Sequence, residues 1–171
     1  RAVSKFVPAD DLVVPYTATS LDDAEAIVHV LKMDENTLRK QQVAGFYRDI
    51  DLGTPTDNAT TTSDLKAKER ELEGIRKTAQ ENVFTLLEIH TDLDLEGYED
   101  KDVDGNPTGI KLPYIVTLEE ATRSILSIRR NYEIGDPNKS RIKYFTHFKF
   151  LPGLGFYGLG LIHMIGGLSR T

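Results

Sequence analysis

Cysteine is absent from this 171-residue chain. That excludes a disulfide framework, a thiolate metal site and a cysteine nucleophile, and it is compatible with a reducing compartment. No charged segment followed by an apolar core opens the chain, so the start does not read as a signal peptide. There is no internal repeat. Histidine is scarce: His29, His90, His147 and His163 stand alone, with no His-x-x-x-His spacing to suggest zinc. Neither a Gly-x-Ser-x-Gly elbow nor a Walker A sequence occurs, and carboxylate pairs such as Glu119-Glu120 sit at turns.

Hydrophobic residues make up 39% and charged residues 28%, enough apolar matter for one ordinary domain or two small ones. The net charge of −6 is unevenly spread. Residues 1–110 hold 12 basic and 23 acidic side chains, a net of −11, and residues 111–171 hold 9 and 4, a net of +5. An acidic part and a basic part suggest two surfaces that meet different partners. The chain begins at Arg1 and stops inside an apolar stretch, so both ends read as cut from something longer.

Residues 2–16 carry Val3, Phe6, Val7, Leu12, Val13 and Val14, strand material broken at Pro8 and closed at Pro15. Ser20 with Asp23 forms a cap signal for a helix from Leu21, although Ile27 to Leu31 also suits a strand. Asp34 caps a second helix over 35–44, with Leu38 and Val43 inward and Gly45 as its stop. Residues 51–63 are turn-rich and read as a linker, followed by a strongly charged helix over 64–77 with a thin apolar stripe.

From Val83 the period changes to two, with Leu87, Ile89, Thr91 and Leu93 on the apolar face and Glu88, His90 and Asp92 opposite. Strands are expected at 113–118 and 124–132, joined as a hairpin through 119–123. Residues 141–150 alternate again, Ile142, Tyr144, Thr146 and Phe148 against Arg141, Lys143, Phe145, His147 and Lys149. A glycine-rich corner at 152–158 leads into an apolar helix from about residue 161. The fold class expected is α+β: a helix-rich N-terminal part with a short strand, an antiparallel β-rich part, and a C-terminal helix start.

Three partial motifs fail on context. Asp100 to Gly105 matches the opening half of a calcium loop, but Lys111 stands where the bidentate carboxylate belongs, so the segment reads as a polar hairpin tip. Gly153-x-Gly155-x-x-Gly158 fits a dinucleotide fingerprint with no room for a βαβ unit after it. Residues 150–168 run uncharged for nineteen residues, yet six are glycine, and a packed helix is expected there rather than a membrane span. No catalytic residue, metal ligand or cofactor is expected, and the chain reads as a non-enzyme.

Three stretches resemble portal proteins of tailed bacteriophages, in a podovirus- and myovirus-like branch. The first is Phe6-Val-Pro-Ala-Asp-Asp-Leu-Val-Val-Pro15, similar to a wing strand that follows an acidic pair. The second runs from Met33-Asp-Glu-Asn-Thr-Leu38 to Gly45-Phe-Tyr-Arg-Asp49, with Asp34 where the family often has Ser. The third comprises Leu112 to Thr117, Ser124 to Asn131, and Tyr144 to Gly160, similar to strands that pass through Pro and Tyr-Gly into a long helix. The order of the three carries the resemblance, which covers nearly the whole chain.

The resemblance implies a wing-like part at 1–60, a linker and charged wing–stem helix at 61–82, a clip-like β part at 83–152, and at 153–171 a corner opening a stem-like helix. It implies a structural subunit of a homo-oligomeric ring of twelve at the portal vertex of the virion, assembled in the host bacterial cytoplasm, with no membrane involved. Double-stranded DNA passes its channel in packaging and ejection. The terminase large subunit docks during filling, and head-completion and tail adaptor proteins dock afterwards. Arg129, Arg130, Lys143 and Lys149 are the expected DNA contacts, the first two on opposite faces of one strand. The rival reading is a DNA-binding regulatory or partition-type module, favoured by basic residues interleaved with Tyr132, Tyr144 and Phe145.

Overall fold

The computed structural model describes residues 3–55, 83–149, 151–153, 155–160 and 165. Within them lies a mostly antiparallel five-stranded sheet in the order β1-β2-β3-β4-β5: β1 (Leu12–Val13), β2 (Ala26–Asp34), β3 (Val83–Leu93), β4 (Leu112–Glu119) and β5 (Ile125–Arg130). One α-helix of the described residues, α1 (Glu35–Val43), joins β2 to the chain beyond. The helix-rich N-terminal part expected from the sequence is therefore corrected: that region is largely strand and turn. The linker beyond residue 55, the charged helix at 64–77 and the C-terminal helix, Ile165 apart, lie outside the described residues.

The helix anticipated at Leu21 is replaced by a turn, for local reasons. The Asp23 carboxylate accepts hydrogen bonds from the Thr19 and Ser20 backbone N–H groups at 3.0 and 2.7 Å. The Ser20 hydroxyl accepts from the N–H groups of Asp22 and Asp23. Short polar side chains here satisfy the backbone in a closed turn, which competes with helix propagation. The β-branched Ile27, Val28 and Val30 then favour strand, and β2 pairs antiparallel with β1, Leu12 opposite His29 and Val13 opposite Val28.

The chain forms two compact units. The first comprises Arg1–His29, Ile89–Ile115 and Arg129–Thr171. Its core is Ala18, Ala24 and Ile27, with Leu12, Val14, Leu21 and Phe145 packed on it. The second comprises Val30–Glu88 and Val116–Ile128. Its core gathers Leu38, Tyr47, Leu52, Phe84, Leu86 and Leu126. Leu86 and Leu126 are fully buried, each contributing about 1.5–3 kcal/mol of transfer free energy.

Helix α1 follows its sequence signals at both ends. The Asp34 carboxylate accepts from the Thr37 N–H at 2.9 Å, and Gly45 leaves the helix at φ +75°. Its buried face differs from expectation. Leu38 is buried, but Val43 is 77% exposed, and Gln42 takes the inner position. There the Gln42 amide donates to the carbonyls of Arg48 and Ile50 at 3.2 and 2.9 Å, pinning the chain after the helix. The Arg48 N–H in turn donates to the Leu126 carbonyl at 2.8 Å.

Strand β3 shows the opposite face to the one its alternation suggests: Phe84, Leu86 and His90 are its buried residues. The β4–β5 hairpin forms as expected, bounded by Glu119 N–H to Ser124 carbonyl at 3.0 Å and Asn131 N–H to Pro113 carbonyl at 2.9 Å. Residues 141–149 do not join the sheet. Their apolar row faces outward, with Tyr144 60% and Phe148 91% exposed, while Phe145 turns into the first core.

Candidate functional site

Within the first unit, the segment 137–145 borders a cleft of about 620 Å³. Its other walls are the turn 21–25, His90 and Asp92 of β3, and residues 110–113. The segment starts at a turn closed by Asp136, whose carboxylate accepts from the N–H groups of Ser140 and Asn138 at 2.8 and 3.0 Å. Those backbone bonds hold its pKa below the usual carboxylate range. From there three cations in alternate positions reach carboxylates. Lys139 pairs with Asp100, Arg141 with Asp92 at 2.9 Å, and Lys143 with Asp22 at 2.6 Å.

These pairs differ in weight. Lys143 and Asp22 are 72% and 71% exposed, so water screens them and they contribute little. Lys139 and Asp100 are only 32% and 15% exposed, and Arg141 also donates to the Ala24 carbonyl at 3.1 Å. Asp100 is held acidic first by its bond from Lys139 and next by the Thr108 hydroxyl, 2.6 Å away. Asp23 lies far below the usual carboxylate range, chiefly through the Thr19 hydroxyl at 2.6 Å, then the backbone of Ser20 and Thr19.

The floor of the cleft is aromatic. His90 is buried at 3% exposure, with Tyr144 and Phe145 edge-on at 5.7 and 5.1 Å, and His29 also meets Phe145 edge-on at 5.6 Å. His147 stacks on Phe156 at 4.5 Å, and burial there, helped by the charge of Lys149, lowers its pKa. Among the described residues no group of three or more His, Asp or Glu side chains is placed to hold a metal ion. The calcium-like segment is a hairpin tip. Lys101 bridges Pro107, Gly105 takes φ +84°, and one Asp102 oxygen accepts from the N–H groups of Asp104 and Asn106 at 3.0 and 2.8 Å.

The four cations expected to contact DNA fall into two separate pairs. Arg129 and Arg130 alternate on β5, the edge strand farthest from β1, with Arg129 half-buried and Arg130 exposed. Lys143 and Lys149 converge on the 19–22 turn, Lys143 through Asp22 and Lys149 through the Thr19 carbonyl at 3.2 Å. Lys149 also donates to the Gly155 carbonyl at 3.2 Å and stands 6.0 Å from the Phe156 ring centre. Of the four, Arg130 is the exposed cation with no bond to a carboxylate or carbonyl among the described residues.

The glycine-rich corner holds this end of the segment. Leu151 and Leu159 bridge antiparallel, and Gly155 turns the loop at φ +99°. Gly158 packs so closely that a Cβ would lie 2.8 Å from the Leu151 carbonyl oxygen. Among the described residues no helix is long and apolar enough to cross a membrane.

Asp22, Asp92 and Asp100 were not legible as partners, because 49 residues separate Arg141 from Asp92 and 39 separate Lys139 from Asp100. Set against known proteins, the chain matches no family model, no curated protein and no solved structure.

Proposed function

We propose that the chain is part of a portal subunit of a tailed bacteriophage, a structural element of a ring through which double-stranded DNA is packaged and ejected. The observation that carries this reading is the exposure of large apolar side chains in two of the stretches that bear the resemblance. Phe6 is 84% exposed in the first stretch, with Val3 and Tyr16 beside it at 83% and 105%. In the third, Tyr157 and Leu159 are 53% and 44% exposed, with Ile165 just beyond at 48%. A subunit in a closed ring must present two different surfaces, one to each neighbour, and apolar side chains left bare on a single chain are what such neighbours cover.

The ion-paired cleft supports a structural role in the same way: the less exposed pairs Lys139–Asp100 and Arg141–Asp92 tie the start of the 137–149 segment to the rest of the unit. The packaging motor and the head–tail proteins are the partners that this reading brings with it. Sedimentation of the full-length protein tests it. A single species of about twelve subunits is expected; a monomer at all concentrations, with Phe6 and Tyr157 still exposed to solvent labels, overturns it.

A further inference from the structure

Residues 143–149 have the side-chain pattern of a strand and none of its ladder. From Phe145 to Lys149 coverage alternates strictly, with Phe145, His147 and Lys149 partly covered and Thr146 and Phe148 exposed. The inward row is fully employed. Phe145 packs on the first core, His147 stacks on Phe156, and Lys149 donates to two carbonyls. Yet no backbone N–H or carbonyl from 143 to 149 makes a hydrogen bond among the described residues. Within the described residues the segment is docked by its side chains alone, and its backbone groups are unpaired there.

Open strands of this kind recruit other strands unless something blunts them. The sheet edges here are blunted. β1 is two residues long and its Leu12 carbonyl takes the Tyr157 hydroxyl, and on β5 the Leu126 carbonyl takes the Arg48 N–H. Among the described residues the 143–149 segment has no such cover, and its outward row is mostly aromatic, Phe148 at 91% and Tyr144 at 60% exposure with Thr146 between them.

Its sequence says which strand fits. Tyr144-Phe-Thr-His-Phe148 is nearly palindromic about Thr146. Antiparallel pairing with the same segment of a second copy sets Tyr144 against Phe148, Phe145 against His147, and Thr146 against Thr146. Aromatic–aromatic and Thr–Thr pairs are among the favourable cross-strand combinations. The one like-charge match, Lys143 against Lys149, is softened because Lys143 is 72% exposed and screened by water and Lys149 is bonded to carbonyls.

We infer that residues 143–149 form a self-complementary strand that pairs, antiparallel and about a two-fold axis through Thr146, with the same segment of a second copy of this chain. Such a contact is isologous, so it is distinct from the contacts that close a ring, and the inference does not rest on the portal reading.

The chain has no cysteine, which makes the register directly readable. In the paired state the two Thr146 Cβ atoms lie about 4.5–5.5 Å apart, whereas Tyr144 faces Phe148 and not its own copy. Under mild oxidation Thr146→Cys is expected to run as a covalent dimer on a non-reducing gel, and Tyr144→Cys to remain single. The double variant Tyr144→Cys/Phe148→Cys restores the cross-link. Phe148→Lys, at an exposed position, should keep the circular dichroism and melting temperature of the parent and abolish cross-linking in the Thr146→Cys background. No cross-link at 146, equal cross-linking at 146 and 144, or a cross-link that survives Phe148→Lys each overturn the inference.

Discussion

The hydroxyl of Thr117 is fully buried in β4 and has no hydrogen-bond partner among the described residues, while the hydroxyl of Thr122, in the turn that follows, donates to the Glu119 carboxylate at 2.8 Å. Two chemically identical substitutions, Thr→Val, should therefore act with opposite sign. At position 117 valine keeps the branched shape and removes a polar group whose unmet desolvation costs about 1–3 kcal/mol. Imperfect volume matching takes back part of that, leaving a gain of about 1 kcal/mol. At position 122 a bond to a charged acceptor is lost, nominally about 1.5–3 kcal/mol. The Thr122 N–H still donates to the same carboxylate at 2.6 Å and the residue is exposed, so the loss is about 1 kcal/mol. Urea unfolding reads both. With a slope of about 1–3 kcal/mol/M, each midpoint should move by about 0.5 M, upward for Thr117→Val and downward for Thr122→Val, with unchanged slope. Most substitutions destabilise, so the upward shift is the informative arm. A Thr117→Val variant that unfolds as early as Thr122→Val would mean that the buried hydroxyl does useful bonding, and the reasoning would fail.

Three further outcomes follow from the first unit. Gly158→Ala sets a Cβ 2.8 Å from the Leu151 carbonyl oxygen and 3.0 Å from the Lys149 Cβ, so the Leu151–Leu159 bridge must open at a cost of about 1–3 kcal/mol; an unchanged melting temperature would show that the corner yields freely. The Asp23 pKa is depressed in the folded state, so its contribution is present above the ordinary carboxylate range and lost as pH falls through and below it; an NMR titration of Asp23 in the usual range, or acid unfolding unaltered by Asp23→Asn, would contradict this. Duplex DNA should bind weakly, without sequence preference and with steep salt dependence, and fluorescence anisotropy should show Arg130→Ala weakening it while Lys149→Ala, whose ammonium is held by the Thr19 and Gly155 carbonyls, changes little; tight binding to one sequence would favour a regulatory module.

Legibility from the sequence was local. Helix α1 was readable at both ends because its cap and stop lie within its own turns: Asp34 bonds three residues on and Gly45 supplies the positive φ. The β4–β5 hairpin was readable for the same reason. What misled was any feature decided from a distance. The Ser20–Asp23 signal exists, but its bonds close a turn, and the residues after it are drawn into pairing with β1. Along β3 apolar residues occupy both faces, so alternation alone could not show that Phe84, Leu86 and His90 would be the covered set. The 141–149 segment reads as a strand with a charged outer face. The Asp92 carboxylate, Phe156 and the Thr19 carbonyl draw Arg141, His147 and Lys149 of that face inward while Lys143 stays exposed, and of those three partners only Phe156 is near in sequence. For the candidate DNA contacts, the opposite facing of Arg129 and Arg130 was legible from the strand period, but the commitment of Lys143 and Lys149 to their own chain was not.

Electron microscopy of the full-length protein tests the central reading most directly. Negatively stained particles should appear as rings with a central channel wide enough for a DNA duplex, viewed end-on with a rotational symmetry near twelve. Rings that lack a channel, or a field of compact monomers at concentrations where Phe6, Tyr157 and Leu159 ought to be covered, would contradict it.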